Sequence, residues 1–129
     1  MRLLPLMILV AGCATTAADG ETRDQRELAA DLEGRTAGAP QACIPVRQGQ
    51  SMRIVDRRTI VYREFDTIYV NRLDAACPGL RPHSTLVVEV HGSQYCRGDR
   101  VRAVEPGSSI PGPFCQLRDF VPYRENRGG

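Results

Sequence analysis

Apolar positions along the chain change their spacing twice. Residues 3–10 form a continuous apolar run broken only by Pro5. Residues 21–33 (ETRDQRELAADLE) have helix-forming composition, and Leu28 and Leu32, four apart, share a helical face. Thr22 followed by Gln25 resembles a capping box, and Gly34 sits where a helix stops. Two leucines make a thin stripe, so the expected helix is short and depends on its docking.

From Cys43 onward the spacing is that of strands. Residues 53–56 form a short candidate. Residues 59–64 (TIVYRE) place Ile60 and Tyr62 on one side, with Thr59, Val61 and Arg63 on the other. Residues 67–72 (TIYVNR) alternate in the same way. The Phe65-Asp66 junction is short enough for a hairpin, although it lacks an Asn-Gly or Asp-Gly signal. Residues 85–91 (TLVVEVH) are the clearest strand, with Leu86, Val88 and Val90 facing one way. Residues 100–105 (RVRAVE) are another, and residues 114–121 supply a last one before Pro122. Turn residues separate these runs at Pro78-Gly79, Gly92-Ser93, Gly98-Asp99 and residues 106–113. The pattern predicts a mainly β fold: a small antiparallel barrel or sandwich of five to six strands behind a short N-terminal helix. It contains no internal repeat.

The first segment reads as an address. MRLLPLMILVAGC has one Arg ahead of the apolar run, which is too short to span a membrane as a helix. Val10-Ala11-Gly12-Cys13 resembles the lipobox of bacterial lipoproteins, in which a diacylglycerol is attached to the Cys sulfur and a peptidase cuts just before it. The expected organisation is a lipoprotein signal peptide over 1–12, a small polar tether over 13–20, a short helix over 21–34 and a disulfide-stapled β-domain over 35–129, with residues 35–42 leading into the core. Cys13 is the expected lipidation site and the membrane a partner through it. Ala14 rather than Asp after the Cys resembles outer-membrane sorting, with the domain facing the periplasm.

Charge changes the picture little. Seventeen basic side chains, all Arg, stand against fifteen acids, and Trp is absent. The acids concentrate in residues 19–33, leaving the β-domain mildly basic. That favours an anionic envelope surface or cell-wall partner and falls far short of a nucleic-acid binder.

Cysteine number supports the address. Five is odd; assigning Cys13 to lipid leaves Cys43, Cys77, Cys96 and Cys115, which pair off in an oxidising compartment. No CxxC is present, so no metal site or cofactor is expected. The spacing leaves all three connectivities open. The runs CIP at Cys43, IVDRRTIVY, CPGL at Cys77, YCRGDRV around Cys96 and FCQLRDFVP, with the approach LAADLEGRTAGAPQACI, resemble a family of short proteobacterial lipoproteins known only as a domain of unknown function. The resemblance covers residues 22–123. Relatives with fewer cysteines keep the equivalents of Cys77 and Cys115, which implies Cys77–Cys115 and Cys43–Cys96. The family implies no activity.

Candidate chemistry is sparse, and no catalytic residue is assigned. Glu89 and His91 share a strand face as a base and its neighbour. His83-Ser84 and Ser93 near His91 are adjacent only in sequence. Arg97-Gly98-Asp99 resembles an adhesion motif but reads more simply as a β-turn. Arg57-Arg58 offers an anion clamp or a solvated turn, and Tyr62, Tyr69 and Tyr95 read as half-buried strand residues. The leading expectation is a non-enzymatic structural or interaction module of the envelope. The alternatives are an inhibitor of a lysozyme-like or other enzyme, inserting residues 107–113 (GSSIPGP), and a small hydrolase using His91 or His83.

Overall fold

A computed structural model describes Gly12 and residues 21–127. The expected signal peptide, Cys13 and the tether therefore lie outside the described residues, Gly12 excepted. Among the described residues no helix is long and apolar enough to cross a membrane.

Helix α1 (Arg23–Leu32) begins as its sequence dictates. The Gln25 N–H donates to Thr22 Oγ1 at 3.2 Å, and the Thr22 N–H donates to Gln25 Oε1 at 2.9 Å, so both cap donors are satisfied. Gly34, at φ 74°, turns the chain out of the helix.

Among the described residues ten strands follow, all paired antiparallel. They are β1 (Arg35–Ala37), β2 (Cys43–Pro45), β3 (Arg53–Ile54), β4 (Thr59–Glu64), β5 (Thr67–Arg72), β6 (Thr85–Val88), β7 (Gln94–Cys96), β8 (Arg100–Val104), β9 (Cys115–Gln116) and β10 (Phe120–Glu125). They form a five-stranded sheet in the order β1-β10-β5-β4-β3, a pair β2-β7 and a three-stranded sheet β6-β8-β9. The arrangement is sandwich-like, with no closed barrel, so of the two expected architectures the sandwich is correct.

The count of five to six strands is too low. The surplus strands have two or three residues each, below the length at which alternation is visible. The linker over 35–42 contains β1, which pairs with β10 through Arg35↔Glu125 and Ala37↔Tyr123. The single run expected over 114–121 is two strands, and β10 continues through Pro122. Pro122 lies opposite Tyr69 on β5, and its carbonyl accepts the Gly38 N–H at 2.7 Å. Its missing N–H would point toward Gly38, just past the end of β1, so one bond at a strand end is forfeited rather than a ladder broken. Gly38 suits the same close approach: a Cβ there would meet the Pro122 ring at 3.1 Å, tighter than ordinary contact.

The five-stranded sheet is covered on both faces. Ile60, Tyr62, Tyr69 and Phe120 of this sheet enter the main core with Ile44, Tyr95, Val101 and Leu117, drawn from the two smaller sheets and their connections. The other face, with Val61, Ile68 and Val70, packs against Leu28 and Leu32 of α1. The opposed sides of β4 are those its alternation predicts. Arg53 of β3 lies 3.6 Å from Asp24, 3.7 Å from Glu27 and 3.9 Å from Asp31, and Arg63 lies 3.4 Å from Asp31. The acidic helix is thus matched by sheet arginines, each exposed pair adding well under 1 kcal/mol or so.

Two disulfides close the fold, Cys43–Cys96 and Cys77–Cys115. The first joins residues directly opposite on β2 and β7. The second ties the buried Cys77 to β9.

Candidate interaction surface

Glu89 and His91 do not share a strand face, because β6 ends at Val88, and each has a different partner. Glu89 pairs with Arg100 at 3.7 Å, whereas the His91 Nδ1 lies 3.7 Å from Asp99. The His91 side chain is 81% exposed. Neither histidine lines the principal surface depressions. Ser84 donates its hydroxyl to the Gly79 carbonyl at 3.5 Å, and the Ser93 carbonyl accepts the Val46 N–H. No group of three His, Cys, Asp or Glu side chains is placed to hold a metal among the described residues.

Arg97-Gly98-Asp99 is a turn. Asp99 is 9% exposed and its carboxylate accepts the Cys96 N–H at 2.8 Å, while Gly98 takes φ 90°. Arg97 pairs with Asp119 at 2.9 Å. The carboxylate that an adhesion motif would present is turned inward to hold the β7–β8 connection.

Arg57 and Arg58 do not form a clamp. Arg58 donates from Nε to the Leu73 carbonyl at 2.6 Å and from Nη2 to the Asp74 carbonyl at 2.8 Å. The Arg57 carbonyl accepts the Cys77 N–H at 2.7 Å. The turn therefore holds the segment that delivers Cys77 to its disulfide. Asp56 begins the same turn. Burial pushes its carboxyl up, but bonds from Gln25, the Arg58 N–H and Thr59 outweigh this and leave its pKa below the ordinary carboxylate value.

The tyrosines are more deeply placed than their alternation suggests. Tyr62 is 1% exposed and meets Tyr95 edge-to-face at 5.7 Å between ring centroids. Its hydroxyl accepts the Arg47 N–H at 3.1 Å. Burial pushes the Tyr95 hydroxyl pKa up, with Tyr62 adding to the shift.

What converges instead is a surface. On β8, Val101 and Ala103 turn into the core, so Arg100, Arg102 and Val104 face outward. On β6, Leu86 and Val88 pack on the core and Thr85 and Val87 face out. Val87 lies directly opposite Arg102 in the ladder. Phe114, just before β9, brings its ring under both guanidinium groups, at 3.6 Å from Arg100 and 4.7 Å from Arg102. Each such contact is worth about 0.5–1 kcal/mol when exposed. Arg100 has Glu89 within ion-pair distance; Arg102 has no carboxylate within that distance among the described residues, and its buried Nε has no hydrogen-bond partner.

Phe114 is 39% exposed, Val87 37% and Val90 41%, and Ile110, on the proline-flanked loop leading to Phe114, is 79% exposed. The alternation of β8 and β6 contains this face, but the sequence reading missed it because Phe114 reaches the arginines from outside any strand. A Phe near an Arg-x-Arg strand was the available signal.

No family model matches the chain, and no curated protein or solved structure compared with it does either.

Proposed function

We propose that the chain is a lipid-anchored protein of the bacterial envelope, attached through Cys13 at the outer membrane and facing the periplasm, and that its β-domain acts by contact rather than by catalysis. The address rests on the apolar run and the lipobox resemblance at residues 1–13, and the likeness to the four-cysteine lipoproteins belongs to the same reading. The observation that carries the mode of action is the outer face of the β6-β8-β9 sheet, where an aromatic ring and aliphatic side chains lie in the open beside two arginines. Aromatic and Arg side chains are the residues that dominate contact surfaces.

A photo-crosslinking residue placed at Val87 in the full chain, in intact envelopes, tests this. A discrete adduct is expected from that position and none from Ser51, which lies near Arg53 and Arg63 on the α1 side of the molecule. Equal diffuse labelling from both positions, or none from either, contradicts the reading.

The second reading, an enzyme inhibitor, is favoured by one observation: Ile110 stands 79% exposed on a loop stiffened by Pro111 and Pro113. Undiminished lysis by lysozymes in the presence of excess protein counts against it.

A further inference from the structure

The contact face and the acidic helix lie on opposite sides of the molecule. Helix α1 covers one face of the five-stranded sheet, and the β6-β8-β9 sheet packs toward the other through Val101, Ala103, Leu86 and Val88. One side presents Asp24, Glu27 and Asp31, matched there by Arg53 and Arg63, and the other presents Arg100 and Arg102. On the contact side Glu89 is matched by Arg100, and at its margin Glu105 is matched by Arg81 at 3.0 Å. Arg102 is left as the cation in excess. Its residues and Phe114 line none of the principal depressions, so the face suits a broad surface better than a small ligand.

We propose that this face docks on the anionic headgroups of the bilayer that carries the lipid anchor, with Ile110 entering the headgroup boundary and Arg100 and Arg102 meeting phosphates. The proposal rests on the lipid-anchored, contact-acting reading above and names the contact. Three observations support it. The charge is complementary, since docking brings Arg102, the cation in excess on this face, to the anionic surface while the acids of α1 are already matched by Arg53 and Arg63. The apolar contribution is built in, since Ile110, Phe114 and Val87 are already in the open. The anchor is within reach: seven residues lie between Cys13 and Glu21, a contour of at most about 28 Å, comparable to the width of a domain this size. A contact this small binds weakly alone. Beside an anchor it needs only to compete within a high effective concentration, so weak contacts suffice to set the orientation.

The absence of Trp provides the probe. Full-length protein carrying Ile110→Trp, extracted from membranes, is reconstituted into phosphatidylcholine vesicles with and without phosphatidylglycerol. Blue-shifted emission and quenching by brominated acyl chains are expected in the anionic vesicles and to a smaller degree in the neutral ones. Arg102→Gln should lower the docking equilibrium about fivefold in the anionic vesicles, from the usual strength of one Arg near an anionic membrane, and leave the neutral ones unchanged. Emission that stays at its water value in acylated protein overturns the proposal while leaving the anchor standing. Emission that shifts on addition of a soluble lysozyme but not with vesicles overturns it in favour of the inhibitor. A chain without acyl groups removes the anchor and the proposal together. A Val87 adduct in envelopes with no vesicle response keeps the contact face and rejects the lipid as its occupant.

Discussion

Asn71 is 1% exposed on a central strand, where a polar side chain needs a reason. Its amide nitrogen donates to the Arg118 carbonyl at 2.7 Å and its oxygen accepts the Arg118 N–H at 2.9 Å. It stands in for a strand partner and holds the connection between β9 and β10. Asn71→Ala leaves two backbone groups unpaired, and chemical denaturation should show a loss of about 2–4 kcal/mol. Asp56 makes the corresponding prediction for pH. Its pKa is lowered in the fold, so its contribution is complete above the ordinary carboxylate range and is lost as pH falls through the folded value. Asp56→Ala should therefore cost about 1–2 kcal/mol at neutral pH, and the gap from the parent should narrow in acid, followed by denaturation across pH. At this scale the sequence was partly legible. Arg97-Gly98-Asp99 is a turn, as Gly between polar neighbours implies. That Arg58 is spent on the Leu73 and Asp74 carbonyls was hidden, because those acceptors are fifteen and sixteen residues away.

The β4–β5 hairpin carries an unusual turn residue. Phe65 sits at φ 51° with its side chain 76% exposed, where Asn or Gly would be at ease. Its ring lies 5.3 Å from the Arg47 guanidinium, a modest return for the backbone conformation. Phe65→Asn should raise stability by up to about 1 kcal/mol, since Asn tolerates the left-handed region; a fall in melting temperature would show that the ring contact outweighs the strain. Helix α1 makes the opposite case. Leu28 is its buried side chain, and a ten-residue helix with so thin a stripe depends on docking. Leu28→Ala should cost about 2–4 kcal/mol and reduce helical circular dichroism. Helix α1, β4, β5 and β8 were readable because each is long enough to show its period; the strand expected over 85–91 stops at Val88 as β6, leaving Val90 41% exposed. β1, β2, β7 and β9 were not, because two or three residues have no period; tertiary pairing, rather than local preference, makes them strands.

The whole molecule depends on its cross-links. The disulfides span sequence separations of 53 and 38 residues. By chain entropy each is worth about 4 kcal/mol, which for a domain this size is a large share of its net stability. The pairing is Cys43–Cys96 and Cys77–Cys115, where spacing alone left three connectivities open, and the β2–β7 register brings Cys43 opposite Cys96. The contact face was only partly legible in sequence for a related reason, since it joins the alternation of β6 and β8 to a residue outside both. In the proposed reading this stapled domain hangs from Cys13 in oxidising surroundings. Intact-mass measurement on protein extracted from membranes, alkylated before and after reduction, tests that most directly. The account predicts a chain beginning at Cys13 with its mass raised by acyl groups, and four alkylation events that appear only after reduction. A chain without acyl groups whose cysteines all alkylate before reduction would contradict it.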